Sequence, residues 1–188
     1  MLIRVQVLTV LSLLLVLGGC GGTGGIEDPA EEDNEVRPPV NGYVSQPARI
    51  YVDEKGSDWN GVSTQHNDVD DAEGLDIERL WMAHAEQHFF LRLALGESIN
   101  LQEGNDLTLY LDTDNDPTTG RQTLGIGAEL SWTFGERAGQ VYRDGSATDV
   151  GHAAIGLTSL PTVRADTFEI ALNRSAAPGG VPLFEGDS

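Results

Sequence analysis

Leu107-Thr-Leu-Tyr-Leu-Asp-Thr-Asp-Asn-Asp-Pro-Thr-Thr-Gly120 is the stretch whose reading decides the fold. Its first five residues alternate with period two, which puts Leu107, Leu109 and Leu111 on one face and so describes a strand with one side in a core. The rest consists of residues that bond their own backbone or stop regular structure, so the strand runs straight into a turn. That turn carries Asp112, Asp114 and Asp116, three carboxylates spaced by two.

Working outward, the same alternation recurs. Ile77-Glu-Arg-Leu-Trp-Met-Ala-His84 and His88-Phe-Phe-Leu-Arg-Leu-Ala-Leu95 flank the short polar link Ala85-Glu-Gln87, which predicts a hairpin. Glu129-Leu-Ser-Trp-Thr-Phe134 and Gln140-Val-Tyr142 flank Gly135–Gly139 as a second hairpin, and Thr167-Phe-Glu-Ile-Ala-Leu172 alternates again. Arg49-Ile-Tyr-Val52 is rich in strand formers and closes on the turn Asp53-Glu-Lys-Gly56. No stretch carries a long apolar stripe of helical period. Short strands divided by turns predict an all-β fold, an antiparallel β-sandwich. At the far end Val181-Pro-Leu-Phe184 resumes an apolar run just before Ser188, so the expectation is a sandwich incomplete at its C-terminus, either a fragment of a longer protein or a truncated gene product.

The first residues read differently. Arg4 supplies a positive charge, an apolar run extends from Val5 to Leu17, and Leu17-Gly-Gly-Cys20 follows. Charge order and length are those of an export signal, too short for a spanning helix of about 20 residues. Its end resembles a lipobox, which implies cleavage before Cys20, acylation of that residue and a membrane anchor. Residues 1–19 are therefore read as signal, 20–47 as an acylated cysteine on a flexible acidic and proline-bearing tether, and 48–188 as the domain. The predicted location is the cell envelope, the outer membrane if the host is Gram-negative. Cys20 is the only cysteine, so no intrachain disulfide is available.

Charge excludes one class of partner. All 30 acidic residues follow Cys20 while Arg4 precedes it, so a chain beginning at Cys20 carries a formal charge of −20 against −19 for the whole. Such a surface repels nucleic acid and lacks the basic stripe that phosphate contacts require.

Three candidate chemistries remain. Clustered carboxylates repel one another, and a hard cation removes that penalty; Ca²⁺ takes six to eight oxygens. Asp112, Asp114, Asp116, a loop carbonyl near Thr118, and Glu129 from Gly125-Ile-Gly-Ala-Glu129 form the predicted set, provided the latter segment folds back beside the loop. The loop is not an EF-hand, since Pro117 and Thr123 stand where that motif needs glycine and glutamate. The competing reading is a solvated turn whose Asp and Asn side chains bond their own backbone. His84 and His88 lack the order of a zinc motif and sit in strand-turn-strand sequence, and His66 and His152 read as surface residues. No nucleophile elbow, phosphate loop or positioned histidine base is present in the sequence. Trp59, Trp81, Trp132 and Tyr142 can stack on sugar rings or pack in the core; Trp59 is the preferred ligand contact, because Ser57-Asp-Trp-Asn60 is polar.

Taken in order, Asp58-Trp59, Asp76-Ile77, Phe89-Phe-Leu-Arg-Leu93, Leu109-Tyr-Leu-Asp-Thr-Asp-Asn-Asp-Pro-Thr-Thr-Gly120, Gly127-Ala-Glu-Leu130 and Phe168-Glu-Ile-Ala-Leu172 resemble the family-9 carbohydrate-binding modules and the related DOMON-like sandwiches. The resemblance spans residues 49–184. It implies a jelly-roll-like sandwich with structural calcium and, in the sugar-binding members, aromatic residues that clamp a glycan. Similar sandwiches also serve as N-terminal accessory domains of larger secreted hydrolases.

The expected function is therefore a non-catalytic, calcium-stabilised, lipid-anchored envelope module that binds a glycan or assists a C-terminal hydrolase domain. The alternatives are a stand-alone metal-dependent hydrolase using Asp112–Asp116, and a structural envelope lipoprotein without ligand. A catalytic metal needs an open coordination position and a separate acid or base, and no candidate base stands out.

Overall fold

The alternation in the sequence becomes two stacked sheets. A computed structural model describes residues 4–8, 43, 45–68 and 75–184. Its strands are β1 (Arg4–Leu8), β2 (Gln46–Pro47), β3 (Thr64–Asn67), β4 (Ile77–His84), β5 (His88–Ile99), β6 (Thr108–Asp112), β7 (Arg121–Thr123), β8 (Ile126–Ala128), β9 (Leu130–Thr133), β10 (Ala138–Arg143), β11 (Ser146–Gly151), β12 (Thr158–Leu160) and β13 (Ala165–Asn173). Among the described residues the only helical element is a 3-10 turn at Pro178–Gly180. The fold is an all-β sandwich. One sheet runs β1-β6-β9-β10-β11 and the other β12-β13-β5-β4-β2, with β3 also on β4. Every pairing is antiparallel except the short β2–β4 pair. β7 and β8 form a separate hairpin.

Side chains of alternate parity meet between the sheets. Leu109 and Leu111 of β6, Leu130 and Trp132 of β9, Met82 of β4, Phe89, Leu91 and Leu93 of β5, and Phe168, Ile170 and Leu172 of β13 belong to one buried cluster. Each fully buried leucine or phenylalanine contributes about 1.5–3 kcal/mol by leaving water. Leu183 and Phe184 join the same core.

The residues of opposite parity face outward, yet both outer faces are partly covered. On the β4-β5-β13 face lies the segment 48–62, which packs Ile50 and Trp59 against Ala83, Phe90 and Ala171. On the β6 face lies the β7–β8 hairpin, with Ile126 and Ala128 against Tyr110. Arg121 of that hairpin stands over the rings of Tyr110 and Tyr142, 5.6 and 5.8 Å from their centroids.

Several sequence expectations are corrected. Arg49–Val52 is not a strand: it crosses the face of a sheet, because the neighbouring edge of β4 is already taken by β2 and β3. The domain starts before Ala48, since Tyr43 is in the core and Gln46-Pro47 forms β2. β11 went unread because four of its six residues in a row are exposed and give no apolar alternation. Apart from these corrections, Arg4–Leu8, inside the stretch read as an export signal, pairs antiparallel with β6, with Arg4 opposite Asp112. Cys20, the tether up to residue 42, and the chain end at Ser188 lie outside the described residues.

Candidate metal centre

The centre is built where β6 ends and β9 begins. Asp112 closes β6 with its side chain outward, opposite in parity to Leu109 and Leu111. Glu129 immediately precedes β9, and its backbone N–H donates to the Leu111 carbonyl at 3.0 Å, so the two carboxylates become neighbours through strand pairing. Asp114 arrives from the loop. One carboxylate oxygen from each of Asp112, Asp114 and Glu129 lies within 4.8 Å of the others, with Asp112 and Glu129 buried and Asp114 exposed.

The loop is held in this shape by its own side chains. Asp114 Oδ1 accepts from the Asp116 N–H at 2.8 Å, and Asp116 Oδ1 accepts from the N–H and hydroxyl of Thr118 at 2.9 and 2.7 Å. Asn115 between them takes a left-handed conformation, φ 60°, which asparagine tolerates better than most residues. Its Oδ1 is buried with no hydrogen-bond partner among the described residues. Gly120 and Gly127 let the loop dock on β8. A Cβ on Gly120 (φ +57°) would lie 2.4 Å from the Ala128 carbonyl oxygen, and one on Gly127 would lie 2.4 Å from the Thr119 carbonyl oxygen. Any side chain at either position would push the loop away from Glu129.

Burial and the neighbouring carboxylate disfavour the charged form of Glu129. Glu129 accepts from the Thr113 N–H at 2.8 Å and lies 3.3 Å from the Thr113 hydroxyl. The Thr119 hydroxyl stands 2.9 Å from Asp114 Oδ2, 3.0 Å from the Asp116 carbonyl and 3.1 Å from Glu129 Oε1. That hydroxyl has one proton, so it can donate to one of these three acceptors at a time. Burial pushes the Glu129 carboxyl above its ordinary range; the Asp114 charge adds to the rise, and the Thr113 and Thr119 hydrogen bonds only offset it. Asp116 moves the other way, lowered by its bonds to Thr118.

Of the five residues predicted as ligands, the structure brings Asp112, Asp114 and Glu129 together. The side chain of Asp116 is instead engaged with Thr118. The segment 125–129 does fold back beside the loop, through a hairpin whose turn residues Leu124 and Gly125 have φ of 47° and 79°.

Trp59 requires a correction. It is 3% exposed, too little to offer a stacking face to a sugar. The polar turn that carries it lies flat on the outer face of the second sheet, which turns the ring inward. Its indole N–H donates to Glu169 Oε1 at 3.1 Å. Glu169, unnoticed in the sequence, also accepts from the backbone N–H groups of Asp53, Glu54 and Gly56 at 3.0, 3.0 and 3.2 Å. Trp81 is covered as well, by Arg92 at 5.1 Å and Arg79 at 5.6 Å from its ring centroid. His84 and His88 lie on different strands of the β4–β5 hairpin, and the His84 ring pairs with the Ser45 hydroxyl at 2.9 Å.

No protein-family model matches this chain, and comparison with curated proteins and with solved structures finds no significant match to either.

Proposed function

We propose that this chain is a non-catalytic envelope module, displayed on a lipid anchor at Cys20, whose sandwich is stabilised by a calcium ion held by Asp112, Asp114 and Glu129. The observation that carries the reading is the convergence of these three carboxylates, two of them buried. Two or three like charges so close together, and partly out of water, favour either a bound cation or protonation. The donor set is all oxygen, which suits a hard ion, and a loop that bends through Asn115 gives the irregular cage that calcium accepts more readily than magnesium. The signal-like order of residues 1–19 and the glycine-rich, acidic stretch behind Cys20 support display at a membrane surface; cleavage before Cys20 would remove β1 and leave β6 as the edge of its sheet. The metal acts through stability: any ligand that binds only the folded state stabilises it by RT ln(1 + [L]/Kd), about 2.7 kcal/mol at one hundred times Kd.

The test is thermal unfolding of chelator-treated protein with and without millimolar calcium. The melting temperature is expected to rise by several degrees with calcium, and Asp114→Ala, at an exposed position, is expected to abolish the rise while the calcium-free protein still folds. An unchanged melting curve returns the loop to an ordinary acidic turn. Hydrolytic turnover that Asp114→Ala abolishes without unfolding would replace this reading by a metal-dependent hydrolase.

A further inference from the structure

At one end of the sandwich, where the two sheets part, a half-enclosed pocket of about 110 Å³ is lined by Leu101, Gln102, Trp132, Phe134, Arg137, His152, Leu157 and Ser159. The floor is apolar, and every polar side chain on the wall can donate a hydrogen bond. No carboxylate lines it, in a chain with 30 acidic and 11 basic residues. Neither the Arg137 guanidinium nor the His152 imidazole is engaged by a hydrogen bond or ion pair among the described residues. Both side chains are therefore available to the pocket.

Arg137 adds a second, independent observation. It occupies the turn between β9 and β10 with φ 53°, a left-handed conformation that favours glycine, and donates its backbone N–H to the Phe134 carbonyl at 3.0 Å. A long charged side chain at such a position costs stability that glycine would not.

We infer that this pocket binds a short-chain carboxylate. The acid head pairs with Arg137, whose fork matches two carboxylate oxygens, with His152, Gln102 and Ser159 donating from the sides. Two or three carbons of tail lie on Leu101, Leu157 and Trp132. The apolar floor selects a carboxylate with a hydrocarbon tail over a bare inorganic anion. The pocket lies apart from the carboxylate cluster, shares no residue with it, and does not depend on the metal.

The probe is sodium propionate, titrated at constant ionic strength against sodium chloride and sodium formate and followed by the indole N–H resonances of the three tryptophans. Saturable movement of the Trp132 resonance in the millimolar range, with Trp59 and Trp81 still, is expected for propionate and not for chloride, with formate weaker than propionate. Arg137→Gly is expected to lower propionate affinity at least about tenfold while leaving the melting temperature unchanged or raised, because it relieves the left-handed turn. His152→Gln, in an exposed loop, tests the opposite wall and decides the matter should Arg137→Gly destabilise the fold. Chloride matching propionate, no saturable shift at Trp132, or affinity unmoved by either variant overturns the assignment.

Discussion

Glu129 and Glu169 are the two glutamates buried among the described residues, 5% and 2% exposed, and they stand on the outer faces of opposite sheets. Each pins a covering segment: Glu129 the Asp112–Gly120 loop, Glu169 the 48–62 strap. Their surroundings differ in kind. Glu169 receives four N–H groups, three from the backbone of the single turn Asp53–Gly56 and one from Trp59, so its charge is met by donors that the fold supplies. Glu129 faces two further carboxylates and shares the single proton of Thr119 with competing acceptors. The same residue type is thus a finished structural anchor on one side and, in the reading proposed above, an unfinished site on the other. A buried carboxylate signals a ligand only after its donors have been counted.

The largest expected effect comes from breaking the finished anchor. Glu169→Ala leaves three backbone N–H groups and an indole without an acceptor beneath the strap. Removing one partner from a buried charged arrangement costs about 3–5 kcal/mol, and each orphaned donor adds to that loss. Urea unfolding should show this loss equally with calcium and with chelator. A calcium-dependent loss would mean that the two faces are coupled and that the comparison is wrong.

Glu129→Gln sharpens the contrast, because its sign should depend on the metal. In chelated protein the substitution removes a buried charge from beside Asp112 and Asp114 while keeping its shape, so stability is expected to hold or rise by up to about 1 kcal/mol. In millimolar calcium the variant forfeits most of the metal's contribution, about 2 kcal/mol near saturation. Unfolding curves of both proteins in both conditions give the four numbers needed. A destabilisation of equal size with and without calcium would make Glu129 another Glu169.

How far the sequence revealed all this follows from where each signal lies. The sandwich was legible because its strands alternate cleanly in 77–95, 107–111, 129–134 and 167–172. Asp112, Asp114 and Glu129 were legible because carboxylates at spacing two in a turn are unusual and Gly125–Glu129 offered a way back. Asp116 has the same spacing, but its role depends on which way the carboxylate turns, and Thr118 captures it locally. Glu169 was illegible: in Thr167-Phe-Glu-Ile-Ala-Leu172 it is the expected polar residue of an alternating strand, while its donors lie 110 to 116 positions earlier in the chain. Trp59 misled for a related reason. Local polarity describes a turn's own exposure to water, and this turn spends its one aromatic on the sheet beneath it. Arg137 and His152 come together only when the β9–β10 turn meets the end of β11, which no local pattern records.

The smallest expected effect is a pH dependence carried by Glu129 alone, read as the wild-type stability minus that of Glu129→Gln so that the other carboxylates cancel. Burial and the neighbouring Asp114 raise the folded carboxyl above its unfolded value. Between those two values the folded state binds more protons than the unfolded one, so stability falls as pH rises across the window. In calcium-free protein the difference should therefore favour the wild type at the acid end and decline as pH rises through the folded value. Calcium reverses the slope, because the ion requires the deprotonated carboxylate and its affinity drops as Glu129 is protonated. Denaturant midpoints of the two proteins from mildly acid to neutral pH, with and without calcium, check both slopes. A difference independent of pH in calcium-free protein would show that Glu129 is as well satisfied as Glu169 and that its site needs no cation.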